Sequence, residues 1–506
     1  MRTILSAMLA VLLLVAIVAA QTGEFQLDVK KKVLANGMRI LVLENHSAPV
    51  FSTIIRFNTG SVDEEPGITG VSHLLEHMLF KGTKITGTSN YEAEVPLMRR
   101  IDSLATLHKA EQIRLANPLN PQDSSRLKEI KQQIADVQAM QKQYVIKDEL
   151  WGAYLKSGGT GLNASTSNDG TQYYVSLPKS CLELWAFLES DRIENLVLSE
   201  FYSERDVVME ERRLRTENDP FGKLDEALSA AMFWASGYHW PVVGWMSDLM
   251  TVSREQVDAY FRIHYSPANA VAVVVGDVNA EEVFKLADKY FAKIPSLPAP
   301  PPVVSLDAEQ TGERRVEVEM DANPIAFIAY NVPAIGHSDV VALEAAANIL
   351  SSGRTSRFYK AIREKKLGTA QASASASRYP SAFSVNITPF GNTTVTQLEE
   401  AVYAEIERLK TEPVSQWELE KMRNQVDASL IRSLESNNGL AFRIANSESI
   451  TGNWRYFMES REALKKVTAE DIMRVANTYL TKRNRTVAFI TRTPKAQAST
   501  PTGKQS

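Results

Sequence analysis

The chain has 506 residues, of which 44% are hydrophobic and 23% are charged. This length exceeds what a single hydrophobic core supports, and the composition is that of a soluble globular protein with about two to four domains. A formal net charge of −4, without a strongly basic block, provides no electrostatic basis for binding nucleic acid.

The first residues predict an export signal. Arg2 precedes the apolar run Ile4–Val18, which is followed by two alanines. This is the arrangement of a secretory signal peptide over residues 1–20, with cleavage before Gln21. An uncleaved anchor is the weaker alternative because the run is short for a membrane span, and no later segment of the mature chain is apolar for long enough to cross a bilayer. We therefore expect export to the periplasm, or secretion.

The stretch HLLEHMLFKG holds two histidines, His73 and His77, four residues apart. Flanking glycines predict a helix, on which residues i and i+4 lie one above the other. Both imidazoles can then reach a single metal ion, and Glu76 falls on the same side. Taken alone, the spacing is equally compatible with ordinary helix polarity.

Residues 91–150 predict a helical hairpin inserted into the first half of the chain. Two apolar stripes at helical spacing flank the proline-containing stretch NPLNPQDSS, and they consist of Leu97, Ile101 and Leu104, then Leu127, Ile130, Ile134, Val137 and Tyr144. Such stripes pack two helices in a coiled-coil-like seam. Since the remaining faces are polar, we expect the hairpin to project from the body.

Cys181 is the only cysteine, so no internal disulfide can form. It lies in SCLELWAFLES, a pattern that predicts an amphipathic core helix, and we expect the thiol to be buried. A catalytic cysteine is the alternative.

A catalytic zinc site usually takes three ligands from the protein. The two histidines supply two of them, so a third ligand must come from elsewhere in the chain. The segment Ser199–Arg215 predicts a helix rich in carboxylates. Glu204 and Glu211 are seven residues apart and share one face, whereas Glu210 points about 100° away from Glu211. By composition alone, a solvated helix with i,i+4 ion pairs is the better explanation of this segment.

The proline-rich stretch at residues 294–315 predicts an extended linker. It separates a half-domain at residues 25–293 from a second half-domain at residues 316–495, and residues 496–506 are expected to be a disordered tail. Alternating strands and long helices in each half predict an α+β fold with helices packed on one face of a mostly antiparallel sheet.

The two halves repeat one another. Segments that start VSREQVDAY and VTAEDIMRV align without a gap at an offset of 215, which pairs Asn269 with Asn484. Ser253 and Thr468 predict the starts of the matching helices.

An earlier block of the two halves aligns at an offset of 271, and the two offsets differ by about 55 residues, roughly the length of the hairpin. In this block His73, Glu76 and His77 correspond to Glu344, Ala347 and Asn348. The helix therefore does not need histidines for its packing, which favours a metal site in the first half.

These motifs resemble one known family. HxxEH reverses the HExxH order of zincins, and with GLNASTSNDGTQYYVSLP, ERDVVMEE and HYSPANAVAVVVGD it resembles the pitrilysin/insulinase family of zinc metallopeptidases over nearly the whole mature chain. The chain is most similar to bacterial relatives of the catalytic subunit of the mitochondrial processing peptidase. The resemblance implies one Zn²⁺ per chain held by His73, His77 and Glu211, with Glu76 as general base and Glu204 supporting the site from behind the ligands.

The resemblance also implies how substrate is held. Asn163 and Ala164 fall on the family's edge strand, which pairs with substrate backbone. Members of the family place an arginine and a tyrosine, seven residues apart, opposite the zinc; here Arg363 is present, but the tyrosine position reads Ala370 or Gln371. Either Arg363 acts alone, or a homologous partner subunit supplies the pair.

The sequence thus predicts an exported zinc endopeptidase that hydrolyses peptides or unfolded segments in a clamshell chamber. Because the family's chamber needs four half-domains, we expect a heterodimer with a subunit carrying the arginine–tyrosine pair, or a homodimer. A non-catalytic peptidase-like subunit or scaffold is one alternative, and a metal-dependent hydrolase of small amides is another.

Overall fold

The computed structural model describes residues 27–374 and 376–492. The predicted signal peptide, residues 1–20, and the predicted tail, residues 496–506, lie outside the described residues. None of the helices in the described part is both long enough and apolar enough to span a bilayer.

The first half is built on a six-stranded sheet. Its strands are β1 (Lys30–Val33), β2 (Arg39–Glu44), β3 (Val50–Phe57), β4 (Thr160–Thr166), β5 (Thr171–Pro178) and β6 (Ala270–Gly276). They lie in the order β1-β2-β6-β3-β5-β4. The β2–β6 pair is parallel and the other neighbours are antiparallel, so β4 forms one edge.

The second half is built on a five-stranded sheet. Its strands are β7 (Arg314–Met320), β8 (Ala326–Val332), β9 (Gly368–Ala374), β10 (Ser381–Pro389) and β11 (Arg485–Arg492). They lie in the order β7-β11-β8-β10-β9, with only β7 and β11 parallel. The predicted fold class, two homologous and mostly antiparallel sheets with packed helices, is confirmed.

Ten helices belong to the described part of the first half. They are α1 (Val71–Met78), α2 (Tyr91–Ala116), α3 (Ser125–Gln141), α4 (Glu149–Lys156), α5 (Leu182–Glu194), α6 (Phe201–Arg212), α7 (Pro220–Met232), α8 (Met246–Thr251), α9 (Arg254–His264) and α10 (Ala280–Tyr290). Leu74 and Met78 of α1 and Trp185 of α5 pack on Ile55 and Val274 of the sheet. This main core holds α1 against the inner face of the sheet.

The second half contributes six helices to the described residues. They are α11 (Asp339–Ser351), α12 (Val395–Thr411), α13 (Gln416–Leu434), α14 (Asn437–Thr451), α15 (Tyr456–Lys465) and α16 (Ala469–Tyr479). Apolar residues of α11, α12 and α16 share one core with the five-stranded sheet. The two halves therefore use the same plan.

The repeat is visible in matching contacts. Ser253 and Thr468 each cap a helix by accepting a hydrogen bond from the backbone N–H three residues later, at 3.2 and 3.1 Å. Asn269 and Asn484 each donate to the carbonyl five residues earlier, at 2.9 and 2.8 Å. These predicted helix starts are confirmed.

Each sheet also has an apolar outer face, which a helix of the other half covers. Leu440 and Ile444 of α14 pack on Leu41, Ile54 and Val273 of the six-stranded sheet. Burying each such side chain stabilises the fold by about 1.5–3 kcal/mol. The helix is also tied by charge, because its buried Glu448 accepts a 2.6 Å hydrogen bond from the Lys31 ammonium on β1, within what would otherwise be an apolar interface.

The five-stranded sheet receives the reciprocal cover. Leu224, Leu228 and Met232 of α7 pack on its outer face beside Phe327 and Ile490. One helix of each half thus completes the core of the other half, in addition to the helices that pack on its own sheet.

The hairpin consists of α2 and α3, whose buried seam is formed by Ile101, Leu104, Ile130 and Val137. It does not stand clear of the body as expected, because it lies along α6. Tyr202 of α6 packs against the seam. The polar residues on the outer faces of the hairpin, which suggested solvent exposure, are partly used in hydrogen bonds to α6.

Two such hydrogen bonds join hairpin and α6 directly. The Tyr202 hydroxyl donates to the Asp102 carboxylate at 3.2 Å, and the Gln138 amide donates to the Ser203 hydroxyl at 3.2 Å. The hairpin therefore braces the helix that carries the predicted ligand Glu211 and its neighbour Glu204.

The prediction for Cys181 is wrong in its environment. The residue precedes α5, which begins at Leu182, and its thiol is half-buried and lies 3.4 Å from the Ser157 carbonyl. A residue at the start of a helix lies outside the repeating apolar stripe, so the amphipathic pattern did not apply to it.

Arg378 joins the two halves at a buried junction. Its guanidinium binds both oxygens of Asp63 at 2.6 and 2.7 Å and donates to the Asn58 carbonyl at 3.1 Å. The Arg378 backbone N–H donates to Asp169 at 2.8 Å, and the same carboxylate accepts from the Tyr238 hydroxyl. The loop between β9 and β10 is thereby attached to the first half.

We expect Arg378→Gln to lower the free energy of unfolding by about 3–5 kcal/mol, because it leaves the buried Asp63 carboxylate without its ion pair. The denaturant midpoint of the purified chain measures this. Arg262→Gln is the matched control, since its pair with Asp258 is largely exposed and is worth less than about 1 kcal/mol. Equal midpoints for the two variants would show that the junction contributes nothing to stability.

Candidate metal centre

Helix α1 is held at its first turn by a buried carboxylate. Glu64 accepts hydrogen bonds from the backbone N–H groups of Gly70 and Ser72 at 2.7 and 2.8 Å. These N–H groups have no partner within the helix, so the carboxylate satisfies them and complements the helix dipole. Gly70 has φ +88°, and a Cβ there would lie 2.4 Å from the Val243 carbonyl oxygen, so only glycine fits.

The two histidines of α1 face a common point. Their ring centroids are 4.8 Å apart, as expected for i and i+4 on one helix face. Glu211 approaches from α6, with one oxygen 3.5 Å from His73 Nε2 and the other 3.3 Å from His77 Nε2. The ligand atoms of His73, His77 and Glu211 all lie within 4.8 Å of one another. The structure thus brings the three predicted metal ligands together.

Glu204 lies behind the histidines. It is two turns before Glu211 on α6, and its carboxylate lies 2.9 Å from His77 Nδ1. A carboxylate on the second ring nitrogen fixes the orientation of a ligating histidine and raises its basicity. Glu210, which the helical period places on another side, has a mostly exposed carboxylate paired with Arg213.

Sequence reasoning missed Lys81, whose ammonium lies 2.6 Å from the second oxygen of Glu204. It follows His77 by four residues, so the same i+4 spacing that linked the histidines could have found it. The pair holds Glu204 between a cation and an imidazole, which keeps its carboxylate ionised.

The two histidines differ electrostatically. Burial, and then the neighbouring His77, lower the pKa of His73 to about 4, so this imidazole is neutral near pH 7. Burial also disfavours a charged His77, but the carboxylates of Glu204 and Glu211 outweigh it and raise its pKa to about 9. Glu211 has a lowered pKa, chiefly through its hydrogen bond with His77. Without a metal ion, the carboxylates of Glu204 and Glu211 are thus balanced by a protonated His77, and they also pair with Lys81 and Arg215.

Glu76 is not part of the ligand cluster. Its carboxylate accepts a 2.6 Å hydrogen bond from the Thr166 hydroxyl at the end of β4. Burial raises the pKa of Glu76, although the Thr166 hydrogen bond opposes the shift. A raised carboxyl pKa suits a group that takes up and returns a proton. Nothing in the sequence had singled out Thr166.

Asn163 and Ala164 lie on β4, at the edge of the six-stranded sheet. β4 pairs with β5, and its other edge has no strand partner within the described residues. The Ala164 N–H donates to the Asn163 side-chain oxygen at 2.9 Å. The edge predicted to bind substrate backbone is therefore available beside Glu76.

Arg363 lies in the second half of the chain, after α11. It is exposed at the end of a π-helical turn, Tyr359–Arg363, with its guanidinium 4.6 Å from the Phe390 ring centroid. Ala370 and Gln371 lie on the edge strand β9. No aromatic side chain at these positions completes the pair that the resemblance implied.

Known proteins similar to this chain share its organisation. The family model described as "Insulinase (Peptidase family M16)" matches residues 39–99, and that described as "Peptidase M16 inactive domain" matches residues 251–426. The zinc protease PqqE of Helicobacter pylori is 28% identical over 95% of this chain and 97% of its own length. A mitochondrial-processing peptidase subunit beta of Lentinula edodes is 21% identical over 88% of this chain and 86% of its own.

Two solved structures have a fold similar to that of this chain. The crystal structure of a protease from Helicobacter pylori superimposes with a TM-score of 0.76 at 25% identity, covering 92% of this chain and all of that one. The periplasmic protease PqqL of Escherichia coli gives a TM-score of 0.67 at 17% identity, covering 92% of this chain but 48% of that one.

The chain is similar to the M16, or insulinase, peptidase family in both of its halves. The two family models match different halves of the chain, and only the first matched region contains the histidine motif. The M16 match covers α1 with both histidines, and the M16 inactive-domain match covers α11, where Glu344, Ala347 and Asn348 replace the ligand motif. Burial raises the pKa of Glu344 to about 7, so this isolated carboxyl is poorly suited to hold a cation.

We expect Thr166→Val to lower kcat about 10- to 100-fold in an assay of peptide hydrolysis, the reaction class of the similar zinc proteases, because it removes a hydrogen bond to a charged group worth about 1.5–3 kcal/mol. Thr166→Ser retains the hydroxyl and is expected to keep most of the activity. Zinc content, measured on the same samples, is expected to be unchanged in both variants. Equal kcat values for valine and serine would show that Thr166 does not position Glu76.

Proposed function

We propose that this chain is an exported zinc-dependent endopeptidase that hydrolyses peptides or unfolded polypeptide segments. One observation carries the proposal: His73, His77 and Glu211 converge on one point, while the neighbouring Glu76 is hydrogen-bonded to Thr166 of the edge strand β4. The intact set disfavours the alternative of a non-catalytic subunit or scaffold. Relatives named zinc protease, among them PqqE, support the reaction class.

The donor set fits zinc. Two imidazole nitrogens and one carboxylate are the ligands of many catalytic zinc sites, which leave a fourth position for water or substrate. His77 has a carboxylate on its other nitrogen, as ligating histidines commonly do. Zinc bound by His73, His77 and Glu211 would polarise a carbonyl and lower the pKa of water.

The chain's own residues perform the proton transfers. Glu76 accepts the proton of the attacking water and returns it to the leaving amine. Thr166 holds the Glu76 carboxylate in place through its hydroxyl. Because Thr166 ends β4, the strand that we propose binds substrate also orients the general base.

The substrate backbone is bound by strand addition to β4. In the free chain the Ala164 N–H donates a hydrogen bond to the Asn163 side-chain oxygen. A peptide carbonyl that accepts a hydrogen bond from the Ala164 N–H must therefore displace the Asn163 side chain. Backbone pairing requires an extended segment, which favours peptides and unfolded chains over small amides. Hydrolysis of small amides without hydrolysis of peptides would favour the alternative of an amide hydrolase.

We expect His77→Ala and Glu211→Gln to lose zinc and peptidase activity together. Glu76→Gln is expected to retain zinc and lose about 10²–10⁴-fold in turnover, the usual cost of removing a general base. Zinc content by elemental analysis and cleavage of an unstructured peptide are measured on each variant. Glu210→Gln, which leaves the ligand face unchanged, is the matched control. A fully active Glu76→Gln enzyme would rule out this mechanism.

We further propose that the chain acts outside the cytoplasm and with a second, homologous subunit. The apolar N-terminal run at residues 4–18 supports export. The absence of an arginine–tyrosine pair at Arg363 and Ala370 supports a partner that carries one. A periplasmic protease about twice as long as this chain shares its fold, which is consistent with four half-domains working together.

Recovery of the native protein from the periplasmic or extracellular fraction, followed by measurement of its mass, tests both points. We expect a complex of about twice the mass of one chain, containing a homologue with the pair, or otherwise two copies of this chain. Full peptidase activity of a strictly monomeric chain would contradict the requirement for a partner, and recovery only from the cytoplasm would contradict export.

A further inference from the structure

A cavity of about 530 Å³ lies between the hairpin and α6. Its walls come from α2, α3, α6, the end of α8 and the start of α9 with the two residues between them, and none of its lining residues belongs to the candidate metal centre. The volume is within the range of about 300–1,000 Å³ that is typical of small-molecule sites. The proposed peptidase mechanism does not use this space.

The charged residues of the cavity are mostly cationic. Lys109 and Lys131 of the hairpin and Arg205 of α6 line it, together with His108. Asp206 is the one carboxylate among the lining residues; its side chain is 71% exposed, and it lies 4.0 Å from the Arg205 guanidinium. A single solvated carboxylate at that distance does not neutralise three cations.

Two of these side chains have buried nitrogens without hydrogen-bond partners, namely Nε of Arg205 and Nε2 of His108. A buried polar group left unpaired costs about 1–3 kcal/mol, and more when it is charged. The Arg205 guanidinium donates a long 3.4 Å hydrogen bond to the Val252 carbonyl, and it also lies 4.0 Å from Asp206 and 5.1 Å from the Tyr202 ring centroid. Burial, followed by Lys131 and Arg205, lowers the pKa of His108, which agrees with positive charge crowding this space. The cavity is therefore short of an anionic partner.

The uncharged lining residues are of two kinds: six are polar, and the others provide apolar surface. Ile134, Met209, Met250 and the ring of Tyr202 form a surface beside the cations. A cavity with cations and an apolar wall fits a ligand that has an anionic group and an apolar body. A bare inorganic anion would leave this wall in contact with water.

We propose that this cavity binds a small amphipathic anion, a molecule with one carboxylate or phosphate group on a short apolar body. The anionic group hydrogen-bonds to Arg205 and Lys109, and the apolar body lies along Ile134 and Met209. Both lysines come from the hairpin, so the inserted segment creates the site. Binding does not rest on the proposed peptidase activity, and it is measured without a substrate.

Isothermal titration of the full, zinc-loaded chain with three probes tests the proposal: octanoate, octyl phosphate and octanol. Octanoate or octyl phosphate is expected to bind at least about tenfold more tightly than octanol, because only the anions can pair with the cations. The tighter of the two anions identifies the preferred head group. Equal binding of octanol, or binding of neither anion, would overturn the proposal.

Variants locate the binding. Lys109→Met keeps most of the side-chain volume. It is expected to raise the dissociation constant of the tighter-binding anion about tenfold or more, since a hydrogen bond to a charged group is lost. Lys131→Met tests the same site from α3 if Lys109→Met fails to fold. Lys285→Met, at an exposed position on α10, is the control and is expected to change nothing. Unchanged anion affinity in the folded lysine variants of the cavity would place the binding elsewhere and refute the proposal.

Discussion

Both sheets of this molecule have two apolar faces, and burial of all four faces is the constraint on which the rest of the structure depends. Every residue of β6 is buried, which is possible only when helices lie on both sides of the strand. Each half covers the outer face of the other half's sheet: α14 of the second half covers the six-stranded sheet, and α7 of the first half covers the five-stranded sheet. Neither half can bury its own outer face, so the two fold as one unit.

The candidate metal centre is positioned by this frame through two helices. The core holds α1 on the inner face of the six-stranded sheet, and Glu64 caps its first turn. α6 crosses beside it with Glu204 and Glu211 on the facing side, and the hairpin braces its other side. The inserted segment is thus a support for the carboxylate helix, and it also contributes the two lysines of the cationic cavity.

Some expectations were wrong because a sequence pattern does not indicate which surface a residue contacts in the folded chain. Cys181 lies next to an apolar helix but precedes its stripe, so it is half-buried. The polar outer faces of the hairpin indicated solvent, yet Asp102 and Gln138 bind α6. In each case the deciding contact comes from a segment distant in the sequence.

The sequence by itself determined the local features: the i,i+4 spacing of His73 and His77, the seven-residue spacing of Glu204 and Glu211, and the repeat that marks the second half as lacking ligands. These follow from the helical period, which acts over one or two turns. Only the tertiary structure decided that Glu211 meets both histidines, that Thr166 holds Glu76, and that each half covers the sheet of the other. Such contacts join residues far apart in the chain, and their geometry depends on how complete helices and sheets pack.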